Sequence, residues 1–338
     1  MTSTTPERIA NGHGEGSARV ADLFGEHGAA DIPFVPFVVA GSGPVAVSDY
    51  HPSPFAALVE AWRYRRVGLT LFRSVLWTRL TQARLGPTWI IVQSFASMVG
   101  FALIFGGAVF SVATPGGMPY ILYSMVGMMG WQLFQQTMYM SMRGFRQVKV
   151  VQDIPLPLLW VPIVGSAGGL LRSLVGMIFY AAFILYFWIT NGTLYLQLSP
   201  RLLGISAGGL GFCLLAAWGL GMWLAPLYAW AIDTRYVLRL AMPFWMFMTP
   251  VLYPADHLHG KIRLLGQINP LTAPIEMTKV GLLGTGSVHT LSLLTSIPLI
   301  CTIFVSGVWF INRFGYRLAA LRTGDNLDDD IQDDGSML

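Results

Sequence analysis

Residues 202–226 read LLGISAGGLGFCLLAAWGLGMWLAP, a stretch of 25 residues without one charged side chain. A helix of this length extends about 37 Å, enough to cross the roughly 30 Å hydrocarbon core of a bilayer. Of the 338 residues, 54% are hydrophobic and only 11% are charged, whereas soluble domains carry about 25% charge. These properties predict an integral membrane protein. The net charge of +4 does not indicate nucleic-acid binding, because no compact basic domain carries it.

Five other apolar stretches have comparable lengths, and each of the six contains 18 to 25 residues. Tryptophans fall near several of their ends, where interfacial aromatic residues are expected. We therefore predict an all-α integral membrane fold with six transmembrane helices. The predicted spans are Trp89–Phe110, Tyr120–Met142, Leu170–Thr190, Leu202–Pro226, Val237–Pro254 and Thr290–Ile311.

Ahead of the first span, the chain changes character at Ser53-Pro54. Residues 1–52 contain Gly, Pro and Ser without apolar periodicity, which predicts a disordered cytoplasmic tail. From Ser53, a preferred helix cap, apolar residues recur at helical spacing beside six arginines. Residues 53–86 are thus predicted to form an amphipathic helix in the headgroup plane, the alternative being an ordinary helix packed on protein. The apolar stripe is Phe55, Leu58, Val59 and Trp62, continued by Leu69, Phe72, Leu76 and Leu80.

Lysines and arginines are divided unequally between the two sides of the predicted bundle. Fourteen lie just before the first span, in the second and fourth loops or after the last span, against four in the other loops. By the positive-inside rule, both termini and the connector Arg143–Pro157 are cytoplasmic. The six-span domain covers residues 87–315, and the acidic cytoplasmic tail 316–338 carries a run of aspartates that predicts disorder.

On the external side, the segment Ala255–His289 is not a simple loop. It holds short apolar pieces interrupted by Gly and Pro, none long enough to span. This pattern predicts an external re-entrant segment between helices 5 and 6, which protein or a wet cavity must cover. His257, His259 and His289 lie nearby but lack the carboxylate or cysteine spacing of a metal site, so no metal site is predicted.

The predicted spans lack several residue types, and this restricts the reactions and transport mechanisms that they could support. None contains Asp, Glu, Lys or His, although ion-coupled transporters and membrane-embedded enzymes use such groups. Cys213 and Cys301 are expected to be packing residues. There is no Gly-x-x-x-x-Gly-Lys-Ser/Thr phosphate loop. We therefore expect no catalysis and no cofactor in this chain, so that ATP and Mg, if used, are bound by another chain.

Two cationic features adjoin the spans. The connector Arg143–Pro157 is placed to contact a partner protein. Pro155 and Pro157 end it abruptly, so that a movement of the connector caused by the partner would be transmitted to the next helix. Arg172 follows a predicted helix break at Gly168-Gly169, and it either snorkels to the headgroups or faces the interior and binds phosphate. The expected coupling residues are Arg143, Arg146, Lys149, Gln152 and Asp153.

Several short motifs occur in order across residues 55–315. They are Arg84-Leu85-Gly86-Pro87-Thr88-Trp89, Ile154-Pro155-Leu156-Pro157, Asp233-Thr234-Arg235-Tyr236-Val237-Leu238, Thr249-Pro250-Val251-Leu252-Tyr253-Pro254, Asn269-Pro270-Leu271-Thr272 and Leu282-Leu283-Gly284. Together they resemble the membrane subunits of ABC-2 type polysaccharide exporters, the permeases of O-antigen, capsule and teichoic-acid transport. One departure is Ile232, which stands where the family commonly has Arg.

The resemblance implies a homodimer of twelve spans in a bacterial cytoplasmic membrane, with nucleotide-binding ATPase subunits docked beneath it. The substrate would be a polysaccharide linked to a polyprenyl diphosphate, whose diphosphate end would meet Arg79, Arg84 and Arg172. Asn269 and Pro270 would belong to an external gate. The expected channel-lining residues are Trp131, Phe134, Trp218, Trp245 and Met246, for each of which ordinary helix packing is the alternative.

Two other functions stay open. A drug or small-lipid exporter of ABC-2 type would share the fold but would not need the basic interfacial helix. A membrane glycosyl- or acyltransferase would need acids or histidines clustered at one membrane face, and the sequence shows no such cluster.

Overall fold

The computed structural model describes residues 53–81, 113–144, 159–197, 199–231, 233–257 and 260–335, with Pro157 and four short pieces between residues 91 and 104. The described part is helical and contains no strand, which confirms the all-α prediction. The predicted tail 1–52 lies outside it. We label its α-helices α1 Pro54–Arg63, α2 Arg65–Thr81, α3 Tyr120–Gly144, α4 Trp160–Gly165, α5 Ala167–Asn191, α6 Pro200–Trp230, α7 Thr234–Met248, α8 Gly260–Ile268, α9 Thr272–Leu283 and α10 Thr290–Gly335.

Within the described residues, three segments are long and apolar enough to cross a membrane, namely Trp160–Asn191, Pro200–Tyr228 and Thr290–Phe314. They contain the third, fourth and sixth predicted spans. The second predicted span lies within α3, and the first falls mostly outside the described residues. The fifth, Val237–Pro254, is wrong as drawn, because α7 ends at Met248 and the following residues leave the helix.

Helix α6 lies at the centre of the described bundle and packs against α3, α9 and α10. Helix α3 packs in addition against α5, and its residues 122–134 are all buried. Their shared core contains Met125, Trp131 and Phe134 of α3 and Cys213 of α6. Cys213 is thus the packing residue that the sequence predicts, whereas Cys301 on α10 is exposed.

Glycines mark the closest helix contacts. At Gly209 of α6, an added Cβ would lie 2.5 Å from the Pro274 carbonyl oxygen and 2.6 Å from the Thr278 hydroxyl of α9. At Gly211, two residues further along, an added Cβ would have no neighbour within 4 Å. Small residues allow helix backbones to approach closely in membrane proteins, and Gly209 is such a position.

Replacing Gly209 by Ala should therefore lower the thermal midpoint of unfolding in detergent. Pushing a methyl group into backbone costs about 1–3 kcal/mol. Gly211→Ala is the matched control on the same helix, where alanine favours the helix by up to about 1 kcal/mol. Equal midpoints for the two variants would show that α6 and α9 are not in close contact at Gly209.

The helix break predicted at Gly168-Gly169 is wrong. Helices α4 and α5 are separated by a single residue, Ser166, whose φ of −66° and ψ of −14° are nearly helical. Gly169 instead lies against α3, where an added Cβ would be 3.1 Å from the Thr137 backbone nitrogen. The glycine permits close packing and does not interrupt the helix, so Arg172 lies in the second turn of α5.

The N-terminal helix begins at Pro54, as the Ser-Pro pair predicts, and the Ser53 hydroxyl accepts a hydrogen bond from the Ala56 N–H at 3.2 Å. The face of α1 that packs on protein consists of small residues, since Ala57 and Ala61 are buried in a cluster with residues of α10. The Ala61 carbonyl accepts a hydrogen bond from Trp160 Nε1 at 2.9 Å. The first part of the predicted apolar stripe points away from the bundle, since Phe55 is 76% exposed and Trp62 is 69% exposed, whereas Phe72 and Leu76 are half-buried.

Helix α10 continues to Gly335 and therefore includes most of the acidic segment 316–338, for which the aspartates predict disorder. Residues 318–321, Leu-Ala-Ala-Leu, follow the last apolar stretch. Leucine and alanine are strong helix formers. Their propensity extends the helix beyond the segment that could cross a membrane.

Candidate functional site

The predicted gate residue Asn269 joins three helices. Its Oδ1 accepts hydrogen bonds from Trp245 Nε1 and from the Leu271 N–H, each at 3.1 Å. Its Nδ2 donates to the Thr249 hydroxyl oxygen at 2.7 Å, and its backbone carbonyl accepts from the Ser296 hydroxyl at 3.0 Å. Asn269 thereby ties the end of α7 and the first turns of α10 to the turn between α8 and α9.

The local sequence explains this turn. An asparagine side chain that accepts from the N–H two residues later closes an Asx turn, and Pro270 between them has no N–H to satisfy. The Thr272 hydroxyl donates to the Gly266 carbonyl at 2.5 Å and closes the hairpin of α8 and α9. These helices have 9 and 12 residues, too few to cross a core of about 30 Å.

The residues Thr249–Pro254, which follow α7, are irregular, yet polar side chains satisfy several of their carbonyls. The Tyr120 hydroxyl donates to Leu252 O at 2.7 Å. Lys279 Nζ donates to Pro250 O at 2.6 Å and to Tyr253 O at 3.3 Å. Non-helical backbone at membrane depth is stable only when its polar groups are paired. We call Thr249–Pro254 the irregular segment.

Lys279 is buried on α9, with 3% of its surface exposed. Besides its two carbonyl acceptors, its Nζ lies 4.1 Å from the centre of the Tyr123 ring. Burial lowers the pKa of the Lys279 ammonium, while the Glu276 carboxylate raises it. The carbonyls and the ring also favour the charged form. Burial is the larger effect, so the pKa of Lys279 is lowered to about 7.

Glu276 lies one turn before Lys279 and is 5% exposed. Its Oε2 accepts a hydrogen bond from the His289 N–H at 3.5 Å, and its Oε1 is buried without a hydrogen-bond partner. Burial raises the pKa of Glu276, and the His289 N–H and Lys279 partly offset this. His289 Nε2 lies 3.0 Å from Asp256 Oδ1. A cavity of about 30 Å³ beside these residues has room for a water molecule.

The sequence analysis placed neither Glu276 nor Lys279 in a functional site. A usable signal was present: Glu276 and Lys279 are the only charges in the twelve residues TAPIEMTKVGLL, and their i, i+3 spacing places them on one helix face. Within the described residues, no group of His, Cys, Asp and Glu side chains could hold a metal ion.

Three of the predicted channel-lining residues form one aromatic cluster. Trp131 and Phe134 of α3 meet Trp245 of α7, with ring centres 5.3 to 6.2 Å apart. Trp131, Phe134 and Met246 are at most 6% exposed. Trp218 lies elsewhere, beside Phe304 of α10. Within one chain these side chains pack against other helices, so their role as a channel lining stays a prediction.

Most of the predicted coupling residues fall outside the described part of the chain. Arg143 is described: it lies in the last turn of α3, and its Nε is buried without a hydrogen-bond partner. Arg146, Lys149, Gln152 and Asp153 are in the gap between α3 and Pro157. The coupling role of all five residues stays a prediction.

The three arginines predicted to bind a diphosphate are not all described. Arg84 lies outside the described residues, and Arg79 lies in α2, where only the backbone is described. Arg172 is half-buried on α5, where it interacts with a neighbouring residue. The diphosphate site therefore stays a prediction.

No protein-family model matches the chain, and a search of curated proteins finds no significant match.

Proposed function

We propose that this chain is the membrane-spanning permease subunit of an ATP-driven exporter that moves a polysaccharide linked to a polyprenyl diphosphate across a bacterial cytoplasmic membrane. The ordered motifs support this proposal by their resemblance to such permeases. The three apolar segments contain no Asp, Glu, Lys or His, which favours passage of a largely neutral chain over ion coupling.

The observation that carries the proposal is the α8–α9 hairpin. Two helices too short to span are joined at Asn269-Pro270 and pack against α10 and α6. Asn269 and Lys279 bond them to the irregular segment after α7. A re-entrant hairpin held at one end of a helix bundle is suited to close a passage on that side, which supports the gate role of Asn269 and Pro270.

The finer architecture belongs to the same proposal. It comprises six spans, both termini in the cytoplasm, and α1 and α2 in the headgroup plane. The outward position of Phe55 and Trp62 supports the interfacial location. The proposed homodimer is supported by an apolar face of α7 that its own chain leaves 50 to 70% exposed. Its residues are Tyr236, Val237, Leu240 and Phe244.

Co-purification tests the function directly. The full chain, purified from its native host, should hold an ATPase subunit through size-exclusion chromatography. Mass spectrometry of the extracted lipid should then identify a glycan on a polyprenyl diphosphate. A bound small lipid or drug without glycan would transfer the assignment to the alternative ABC-2 exporter, and absence of any ATPase would reject both.

Reversing the charges of Arg146 and Lys149 to Glu is expected to abolish stimulation of the partner ATPase in proteoliposomes. These cations would supply charged contacts across the docking surface, and like charges there prevent docking. The matched control is Lys261→Glu with Arg263→Glu on α8, where both side chains are exposed. Stimulation equal to wild type in the Arg146 and Lys149 variant would reject these residues as the docking contacts.

A further inference from the structure

Helix α1 crosses one end of the three apolar segments. Ala61 of α1 is buried in one cluster with Trp160, Ala225 and Ile311. Trp160 is the first residue of the first segment, whereas Ala225 and Ile311 lie in the last turns of the second and third segments. Because the hydrocarbon core ends where such segments end, α1 lies at the boundary of a bilayer that they cross.

Opposite their packed face, α1 and α2 present one stripe of exposed side chains. Helical hydrogen bonds continue across the junction of the two helices: the Tyr64 N–H donates to Glu60 O at 3.1 Å, and the Gly68 N–H donates to Tyr64 O at 3.0 Å. At 3.6 residues per turn, the buried Ala57, Ala61 and Gly68 therefore share one face, and the exposed stripe lies on the other side. We call it the arginine–aromatic stripe, and it consists of Phe55, Leu58, Val59, Trp62, Arg66, Leu69, Arg73 and Trp77.

The apolar part of the stripe fits the acyl region of a lipid surface. Six of its eight residues are apolar or aromatic, and Trp62 and Trp77 are each 69% exposed. A contiguous apolar surface of this kind marks a contact with a partner or a membrane. Tryptophan is enriched at the boundary between hydrocarbon and water. Since Gly68 of α2 lies against Trp160, the start of α2 is at the same boundary as α1.

The arginines of the stripe are matched by few acids. Arg66 and Arg73 are exposed two turns apart, and Arg63 and Arg65 beside them are exposed too. Residues 54–77 contain one carboxylate, Glu60, which is half-buried and does not belong to the stripe. A guanidinium binds two phosphate oxygens through its fork of N–H groups. Because four cations accompany one acid, a surface with a net negative charge is favoured over a zwitterionic one.

An anionic lipid surface satisfies both parts of the stripe. Its phosphates lie above the acyl chains, so arginine side chains can extend to the phosphates while Trp62 and Leu69 contact the chains. A nucleic acid or an acidic protein would pair with the arginines but would leave the apolar residues in water. We propose that the arginine–aromatic stripe binds anionic phospholipids of the membrane surface, with Arg66 and Arg73 on their headgroup phosphates.

This lipid contact rests on the interfacial position proposed above for α1 and α2, and it adds to that position the class of lipid and the residues that select it. The stripe shares no residue with the proposed diphosphate site at Arg79, Arg84 and Arg172. The contact does not require that the protein exports a glycan, so the two proposals can fail separately.

Hydrogen–deuterium exchange of the full-length protein in nanodiscs tests the stripe, because it follows the amides of residues 54–77 separately from the rest of the chain. One set of nanodiscs contains phosphatidylcholine alone, and the other contains phosphatidylcholine mixed with phosphatidylglycerol. With phosphatidylglycerol present, these amides should exchange at least about fivefold more slowly, the contribution of a single arginine near an anionic surface. The difference should disappear in about 1 M salt, where the screening length is about 3 Å.

Variants assign the effect to residues. Arg66→Gln with Arg73→Gln should remove most of the difference between the two lipid compositions, whereas Arg66→Lys with Arg73→Lys keeps both charges and should retain most of it. The matched control, Arg201→Gln with Arg263→Gln, removes two exposed arginines of α6 and α8 and should leave the difference unchanged. Trp62→Gln should speed exchange in both lipid compositions, because the apolar contact does not depend on lipid charge.

Equal exchange of residues 54–77 in the two kinds of nanodisc would overturn the proposal, as would a lipid difference that persists in the glutamine variant of Arg66 and Arg73. Exchange that slows only when RNA or an acidic protein is added would assign the stripe to a soluble partner and would overturn it too. A lipid response without a co-purifying ATPase supports the stripe and rejects the exporter. If a variant does not fold, the salt dependence of the wild-type protein decides the question.

Discussion

Replacing Lys279 by Met is expected to destabilise the protein by about 2 kcal/mol or more, because it removes a buried side chain that makes two hydrogen bonds and interacts with Glu276. The change leaves the buried Glu276 carboxylate without its neighbouring cation. It also leaves the Pro250 and Tyr253 carbonyls without their donor. Methionine fills much of the space of the lysine stem. The loss of stability is therefore due more to charge and hydrogen bonding than to packing. Thermal unfolding in detergent measures it.

The double variant Glu276→Gln with Lys279→Met tests whether Glu276 and Lys279 interact with each other. With both charges removed, no uncompensated charge stays buried, so the double variant should be more stable than Lys279→Met alone. Lys261→Met is the matched control, since Lys261 is exposed on α8 and the same substitution should leave the melting midpoint unchanged. Strictly additive effects of the two single changes would show that Glu276 and Lys279 do not interact.

The sequence could predict the features that depend on local pattern. Hydropathy over about 20 residues located the three apolar segments, because a membrane-crossing helix needs a continuous apolar run. The helix start at Ser53-Pro54 was also predicted, since capping uses residues within one turn. The end of α7 was not predicted correctly, because a hydropathy average includes Pro250 and Pro254 and does not detect that the chain leaves the helix before them.

Features that depend on contacts between residues far apart in the chain could not be predicted from the sequence. Ala57 and Ala61, not the large apolar stripe, face the bundle, and Gly169 is a packing position on α3. The bond between Trp245 and Asn269 joins two residues that the sequence had placed in separate roles. Charge count alone could not show that Lys279 is buried, because its acceptors are carbonyls of the irregular segment.

The irregular segment connects these findings. It follows an apolar helix, and its backbone is not paired by helical hydrogen bonds, so each of its buried carbonyls needs a donor from elsewhere. Tyr120 and Lys279 supply such donors from α3 and α9. Asn269 holds the same segment at its first residue through the Thr249 hydroxyl. The hairpin and the irregular segment therefore stabilise each other, and a change in either should disturb both.

Asn269→Leu is accordingly expected to destabilise the protein by about 3 kcal/mol or more. It leaves Trp245 Nε1 and the Leu271 N–H without their acceptor, and each orphaned buried group costs about 1–3 kcal/mol. The Thr249 hydroxyl loses the donor Asn269 Nδ2 but keeps its bond to the Trp245 carbonyl. Leucine has a similar size, so lost hydrogen bonds dominate. Thermal unfolding gives the loss of stability, and tryptophan emission should shift because Trp245 loses its acceptor beside Trp131.

Two variants make this result specific. Asn191→Leu repeats the substitution at an exposed position at the end of α5 and should leave the midpoint unchanged. Thr249→Val removes the acceptor of Asn269 Nδ2, so the effects of Thr249→Val and Asn269→Leu should sum to more than the effect of the double variant, because both single changes delete the same bond. If Asn269→Leu unfolds at the wild-type midpoint, the turn does not depend on Asn269, and its place in an external gate loses its structural basis.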